Sequence, residues 1–151
     1  MTVTMRMNWQ GNGEPLKRFI MLKVLTEWGD ATGPYVRSIL KERTPVVTGR
    51  MRDSERYARN GFASGIRLEW RAYTPYAKYV IDGTRPHIIE AKAARFLRWH
   101  GSDGRVHFAR RVHHPGNRPN QFPKEVMDAV KDEVMRDLRD RLNTALRRGN
   151  A

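Results

Sequence analysis

The sequence contains no cysteine and no long apolar run, and each absence excludes a class of protein. Without cysteine the chain has neither disulfides nor thiolate metal sites, and the redox compartment is left undetermined. No stretch approaches the roughly 20 apolar residues that a membrane-spanning helix needs. Residues 1–15 are polar and have no apolar signal core, so we expect no secretion signal and an intracellular site of synthesis.

Recognisable catalytic and nucleotide-binding motifs are absent as well. The chain has no HExxH, no GxSxG and neither of the glycine-rich phosphate-binding patterns. No acidic residue lies between Asp103 and Glu125, which disfavours a two-metal or paired-carboxylate hydrolase. We therefore expect no enzymatic activity, no cofactor and no bound metal. The histidines lack metal-ligand spacing and favour surface or capping roles; they are His87, His100, His107, His113 and His114.

Positive charge is abundant and unevenly placed. The chain has 29 Lys and Arg against 16 Asp and Glu, a net charge of +13. Residues 85–118 contain eight basic and two acidic residues and are the most basic part of the chain. Such a surface attracts a polyanion or an acidic protein face, or it is a solvated surface that keeps the protein soluble.

Apolar periodicity predicts a long helix near each end of the chain. Residues 14–43 have helical spacing, with a kink or break expected near residues 29–34 because of Gly29 and Gly33–Pro34. Its apolar stripe follows Leu16, Phe19, Ile20, Lys23, Val24, Glu27 and Trp28. Residues 123–148 begin with proline and end before Gly149, the usual start and stop signals of a helix. Its stripe consists of Val126, Val130, Val134, Leu138, Leu142 and Leu146.

Between these helices, alternating polar and apolar residues predict strands. Residues 66–73 alternate as a half-buried antiparallel strand does, and we expect a partner within residues 53–60 and a turn at NGFASG. The apolar face consists of Ile66, Leu68, Trp70 and Ala72. Residues 75–82 have helical spacing and predict a short helix that Gly83 closes.

Residues 95–112 predict a β-hairpin whose arms flank the turn sequence GSDG. A two-stranded ribbon is marginally stable alone, so we expect it to pack on the main sheet or on another subunit. Aromatic residues alternate with arginines, which suits a ribbon that lies along a phosphate backbone or stacks on bases, or one with a packed and a solvated face. The aromatic residues are Phe96, Trp99 and Phe108, and the arginines expected at phosphates or a lumen are Arg95, Arg98, Arg105, Arg110 and Arg111.

Together these elements predict an α+β fold. It has a small antiparallel sheet, a long N-terminal helix kinked near residues 29–34, a short middle helix, a protruding hairpin and a long C-terminal helix. We expect one domain over residues 14–148 with the hairpin 95–112 as its extension, preceded by a flexible arm at residues 1–13.

Three segments, taken in order, point to a family. They are KERTPVVTGRMRDS (41–54), YAKYVIDGTRPH (76–87) and RRVHHPGNRPNQF (110–122). Their order and spacing resemble the HK-97-like neck and tail-component family of long-tailed bacteriophages, over roughly residues 16–148. The chain departs from the usual family residues at Val47, Asp82 and residues 121–123.

The resemblance implies a structural protein of the virion, assembled in the host cytoplasm. It would form a homo-oligomeric ring, six- or twelve-fold, between the portal-side connector and the tail tube, with DNA passing through its lumen. One alternative is a tail terminator that caps the tube. Another, from a different class, is a DNA-binding protein that uses the basic hairpin; such binding would be salt-sensitive and indifferent to sequence. No membrane contact is expected.

The stretch VHHPGNRPNQF (112–122) raises three interpretations: a metal site, a nucleic-acid clamp or a docking loop. Its prolines and Gly116 restrict the backbone, and a rigid loop loses little entropy on docking, so we favour a docking loop over a turn that only connects two elements. The residues predicted for subunit contacts are Thr48, Gly49, Arg50, Arg52, Tyr76, Gly83, Thr84, Arg85, Phe96, Trp99, Phe108, His114, Pro115, Gly116, Arg118, Pro119 and Phe122.

Overall fold

The computed structural model describes residues 1–8, 15–62, 64–101 and 103–149. In chain order the elements are β1 (Thr2–Asn8), α1 (Pro15–Arg43), α2 (Arg50–Asp53), β2 (Glu55–Phe62), β3 (Gly65–Ala72), α3 (Ala77–Ile81), β4 (His87–Glu90), β5 (Leu97–His100), β6 (Val106–Ala109), β7 (Arg111–His114) and α4 (Phe122–Gly149). The predicted α+β class is confirmed.

The chain forms two compact units, where the sequence predicted one domain with an extension. Unit 1 consists of Met1–Ala77 and Gln121–Ala151, and unit 2 of Lys78–Asn120. Unit 1 contains a three-stranded sheet, whereas the strands of unit 2 form two separate two-stranded ladders. The division arises because the strands of residues 87–114 pair among themselves and add no strand to the larger sheet.

The sheet of unit 1 has the order β1-β3-β2, with both neighbours antiparallel to β3. The predicted strand, its partner and its buried face are confirmed, since Ile66, Leu68 and Trp70 are at most 1% exposed. The turn is tighter than NGFASG, because β2 continues to Phe62, which lies opposite Gly65.

The N-terminal residues form a strand, so the flexible arm predicted at residues 1–13 is wrong for residues 2–8. They pair along the whole length of β3, and Val3, Met5 and Met7 alternate with exposed residues. The alternation gives β1 a half-buried face, which a flexible arm would lack. Residues 9–13 of the predicted arm lie outside the described residues.

Helix α1 is not broken at residues 29–34; it runs from Pro15 to Arg43 with Pro34 inside. Proline costs the helix one hydrogen bond, because its nitrogen has no proton to donate. Two side chains of the sheet donate to carbonyls in this stretch: the Tyr57 hydroxyl to Gly29 at 2.7 Å, and the Trp70 indole to Gly33 at 2.8 Å. The sheet thus holds the helix as one continuous element where the local sequence predicts a kink or a break.

The core of unit 1 lies where α1 meets the sheet and α4. Trp28, Val36 and Leu40 of α1 are at most 1% exposed. The predicted stripe is wrong at its start, because Leu16 and Phe19 are 60% and 66% exposed, and the buried part of α1 begins at Val24.

Helix α4 confirms the predicted C-terminal helix. The first four residues of its stripe, Val126 to Leu138, are buried, while the last two are half-buried. The Trp28 indole donates to the Val134 carbonyl at 3.2 Å and so links α1 to α4.

In unit 2, the predicted hairpin is only partly right. Strands β5 and β6 form a shorter hairpin, whereas β7, which was assigned to its second arm, pairs with β4. The sequence did not predict β4, although it contains two isoleucines. An ion pair of 3.4 Å between Glu90 and Arg111 joins β4 to β7. The short middle helix α3 is confirmed, and Gly83 follows it with a φ of 72°.

Candidate interaction surface

Two segments of the family resemblance meet within unit 2. The Thr84 amide donates to the Asn117 carbonyl at 3.0 Å, and the Asn117 amide donates to the Thr84 carbonyl at 3.1 Å. Three residues further along one segment, His87 pairs with His114 of the other. We refer to residues 83–87 and 114–119 as the loop junction, because backbone hydrogen bonds make these distant segments one structure.

The loop junction requires glycine at two positions. Gly83 and Gly116 have φ values of 72° and 84°, in the left-handed region that other residues rarely adopt. A Cβ at Gly83 would lie 2.5 Å from the Asn117 carbonyl oxygen, and one at Gly116 would lie 2.2 Å from the Thr84 carbonyl oxygen. The two segments therefore approach each other too closely for any side chain at either glycine.

Gly116→Ala is expected to open the loop junction, because it adds a steric clash to a backbone strain of about 1–3 kcal/mol. Hydrogen exchange should show lost protection at the Thr84 and Asn117 amides. Gly104→Ala is the matched control, since Gly104 has a φ of 73° but no atom within 4 Å of the place that a Cβ would take. Equal loss of protection in both variants would show that strain alone, and not the close approach, explains the effect.

Two histidine rings lie side by side at the junction, with centroids 5.0 Å apart. The Gly116 amide donates to Nδ1 of His114 at 3.0 Å, so that nitrogen is unprotonated. Nδ1 of His87 lies 2.9 Å from the Arg85 carbonyl, which can only accept, so that nitrogen holds a proton. Within the described residues no group of three or more His, Asp or Glu side chains is placed to hold a metal ion.

The β5–β6 hairpin has two different faces. Its cross-strand pairs alternate between them, so Arg98 and Phe108 share one face with His100 and Val106, and all four are exposed. On the other face the rings of Trp99 and His107 stack with centroids 5.5 Å apart. His107 also contacts Asp103 at 3.1 Å, and this hydrogen bond holds the pKa of the Asp103 carboxyl below its usual value.

Arginines gather around Phe96, next to this hairpin. The guanidinium carbons of Arg95 and Arg110 lie 5.5 and 5.8 Å from the centre of its ring, within cation–π range. Among the five arginines predicted at phosphates, Arg111 differs from the rest because it is paired with Glu90. The other four, Arg95, Arg98, Arg105 and Arg110, form no ion pair with any residue that the structure describes.

Unit 1 contains the remaining predicted contact residues, which are Thr48, Gly49, Arg50, Arg52, Tyr76 and Phe122. Phe122 is 4% exposed and packs in the core at the start of α4, so its side chain does not lie on the surface of unit 1. Gly49 precedes α2 with a φ of 78°, and Arg52 pairs with Asp53 at 3.1 Å. Nothing in the local sequence pattern indicates the neighbouring apolar tip, where Val46 and Val47 are 54% and 98% exposed.

Comparisons of the chain with protein-family models, curated proteins and solved structures found no significant match. They add no family assignment, so the resemblance to phage neck proteins stays a prediction. Among the described helices, none is both long enough and apolar enough to cross a membrane.

Proposed function

We propose that the protein is a structural subunit of the head–tail connection of a long-tailed bacteriophage. It assembles with further copies into a closed ring, six- or twelve-fold, and acts through protein contacts and without catalysis. The ring lies between the portal-side connector and the tail tube in the virion, after assembly in the host cytoplasm, and the DNA passes through it. The proposal starts from the three-segment resemblance.

The observation that supports it most strongly is the exposure of unit 2. No described residue of this unit is buried, although it contains four strands. Isolated two-stranded ribbons are marginally stable in water, because they have no core to bury. Several large apolar side chains here are exposed, among them Ile88 at 42% and Ile89 at 37%. A ring subunit would bury such a surface against its neighbours.

The loop junction gives further support. Residues 76–87 and 110–122 are recognised as separate segments in the sequence, and most of their residues meet in unit 2 through the Thr84–Asn117 hydrogen bonds. Two restricted loops that hold each other form a preorganised contact surface, which loses little entropy on binding.

Deletion of residues 98–107 tests the proposal. The variant should stay soluble and keep the helices of unit 1, because none of the deleted residues belongs to the core of that unit. It should fail to complete infectious particles when it replaces the full chain. Circular dichroism measures the helices, and a complementation assay measures particles. An unfolded variant would show that the hairpin belongs to the core. A normal particle yield would show that the hairpin makes no contact needed for assembly.

A further inference from the structure

Unit 2 concentrates positive charge that the chain itself does not neutralise. It contains nine basic and three acidic residues, together with all five histidines. Two of the acidic residues are already engaged, Glu90 with Arg111 and Asp103 with His107. Four of the basic residues that form no ion pair with a described residue lie on the β5–β6 hairpin and its flanks, which we call the Arg–aromatic hairpin (residues 95–110).

The arrangement around Phe96 favours an anion. The guanidinium groups of Arg95 and Arg110 both lie within cation–π range of the Phe96 ring. No described carboxylate forms an ion pair with either of them. A guanidinium binds phosphate, as it binds carboxylate, through two parallel hydrogen bonds.

The exposed rings narrow the choice of polyanion. Phe108 is 64% exposed and lies opposite Arg98 on the open face of the hairpin, and Phe96 is 42% exposed. The backbone of a duplex offers phosphates and would leave these rings in water. A single strand offers phosphates for the arginines and unpaired bases that stack on aromatic rings.

We propose that the Arg–aromatic hairpin binds single-stranded nucleic acid without sequence preference. Arg95, Arg98 and Arg110 contact phosphates, and Phe108 stacks on a base. This inference goes beyond the proposed function, which needs only protein contacts and the passage of DNA. It rests on the charges and rings of unit 2, so failure of the ring proposal would leave it standing.

The test is the binding of the full chain to a labelled oligo-dT of about 12 nucleotides, a length typical of single-strand sites, and to a duplex of the same length. The oligo-dT should bind more tightly. With three arginines at phosphates, its affinity should fall roughly 20-fold between 50 and 200 mM salt, as release of counterions from a single strand requires.

Two pairs of variants locate the site. Phe108→Ala should weaken oligo-dT binding about tenfold, the loss typical of one stacked base. Phe19→Ala should not, although Phe19 is equally exposed, because it lies on α1 of unit 1. Arg98→Ala should weaken binding and flatten its salt dependence, whereas Arg139→Ala on α4 should do neither.

Three results would overturn the proposal. The first is binding of the duplex as tightly as oligo-dT, which would show that the hairpin contacts phosphates only and stacks on no base. The second is an unchanged affinity in Phe108→Ala. The third is tighter binding of polyglutamate of matched charge, which would assign the surface to an acidic protein partner.

Discussion

Replacing Trp28 by alanine is expected to lower the free energy of unfolding of unit 1 by about 3–5 kcal/mol. Trp28 is 0% exposed and is among the largest fully buried side chains of the chain. Its indole also donates to the Val134 carbonyl, across the contact between α1 and α4. Since small domains are stable by only about 5–15 kcal/mol, the loss removes between about a fifth of this free energy and all of it.

Urea denaturation followed by circular dichroism at helix wavelengths measures the effect, because α1 and α4 both belong to unit 1. Trp28→Phe should lower the free energy of unfolding less than Trp28→Ala does, since phenylalanine keeps most of the buried ring. It should lose the indole hydrogen bond, worth about 1 kcal/mol. Phe19→Ala is the control: its side chain is 66% exposed, and a change within about 0.5 kcal/mol is expected. A Trp28→Ala variant with the same free energy of unfolding as the wild type would contradict the described core.

Glu55→Gln is expected to stabilise the protein at neutral pH, because burial disfavours the charged carboxylate and glutamine carries no charge. The Glu55 side chain is buried, and its Oε2 has no hydrogen-bond partner among the described residues. The Thr44 hydroxyl contacts both the Leu40 carbonyl, at 2.7 Å, and the Glu55 carboxyl. This hydroxyl has one proton, so it donates to only one of these two acceptors at a time.

The pH dependence follows from the direction of the pKa shift. Burial raises the pKa of Glu55 above its usual value, and the Thr44 hydrogen bond and the charges of Lys41 and Arg37 oppose this only in part. The folded state therefore holds the proton more tightly than the unfolded state. The resulting stability is complete below the unfolded pKa and is lost as the pH rises through the folded pKa.

Denaturation of the wild type and Glu55→Gln across this pH range tests the prediction. The difference between them should grow in favour of glutamine as the pH rises from acidic to neutral. Glu42→Gln serves as the control, because Glu42 is exposed on α1 and its replacement should leave the pH dependence unchanged. If the wild type instead became more stable relative to Glu55→Gln as the pH rises, Glu55 would be ionised and stabilising in the folded state.

The elements whose residues follow a clear helical or strand periodicity were predicted correctly from the sequence. Helix α4 has an apolar residue at every fourth position and β3 alternates strictly, so both follow from periodicity alone. Elements that depend on distant partners were missed or misread. Strand β4 is four residues long and is paired through β7, and the middle of α1 is held by Tyr57 and Trp70.

The same distinction applies to the candidate site. The sequence indicated restricted loops at Gly83 and Gly116, but not that a Cβ on either would meet the backbone of the other segment. Burial could not be predicted for Phe122, nor exposure for Val47, since both are apolar residues next to a helix. The Arg111–Glu90 ion pair depends on β4, a strand that local sequence patterns do not indicate.

The central proposal is that copies of this chain form a closed ring at the junction of head and tail. Native mass measurement of the complex that contains this chain, released intact from phage particles, tests it most directly. We predict a mass that corresponds to six or twelve copies, together with neighbouring connector or tail proteins. A single isolated copy in the complex, or particles that lack the chain altogether, would contradict the proposal.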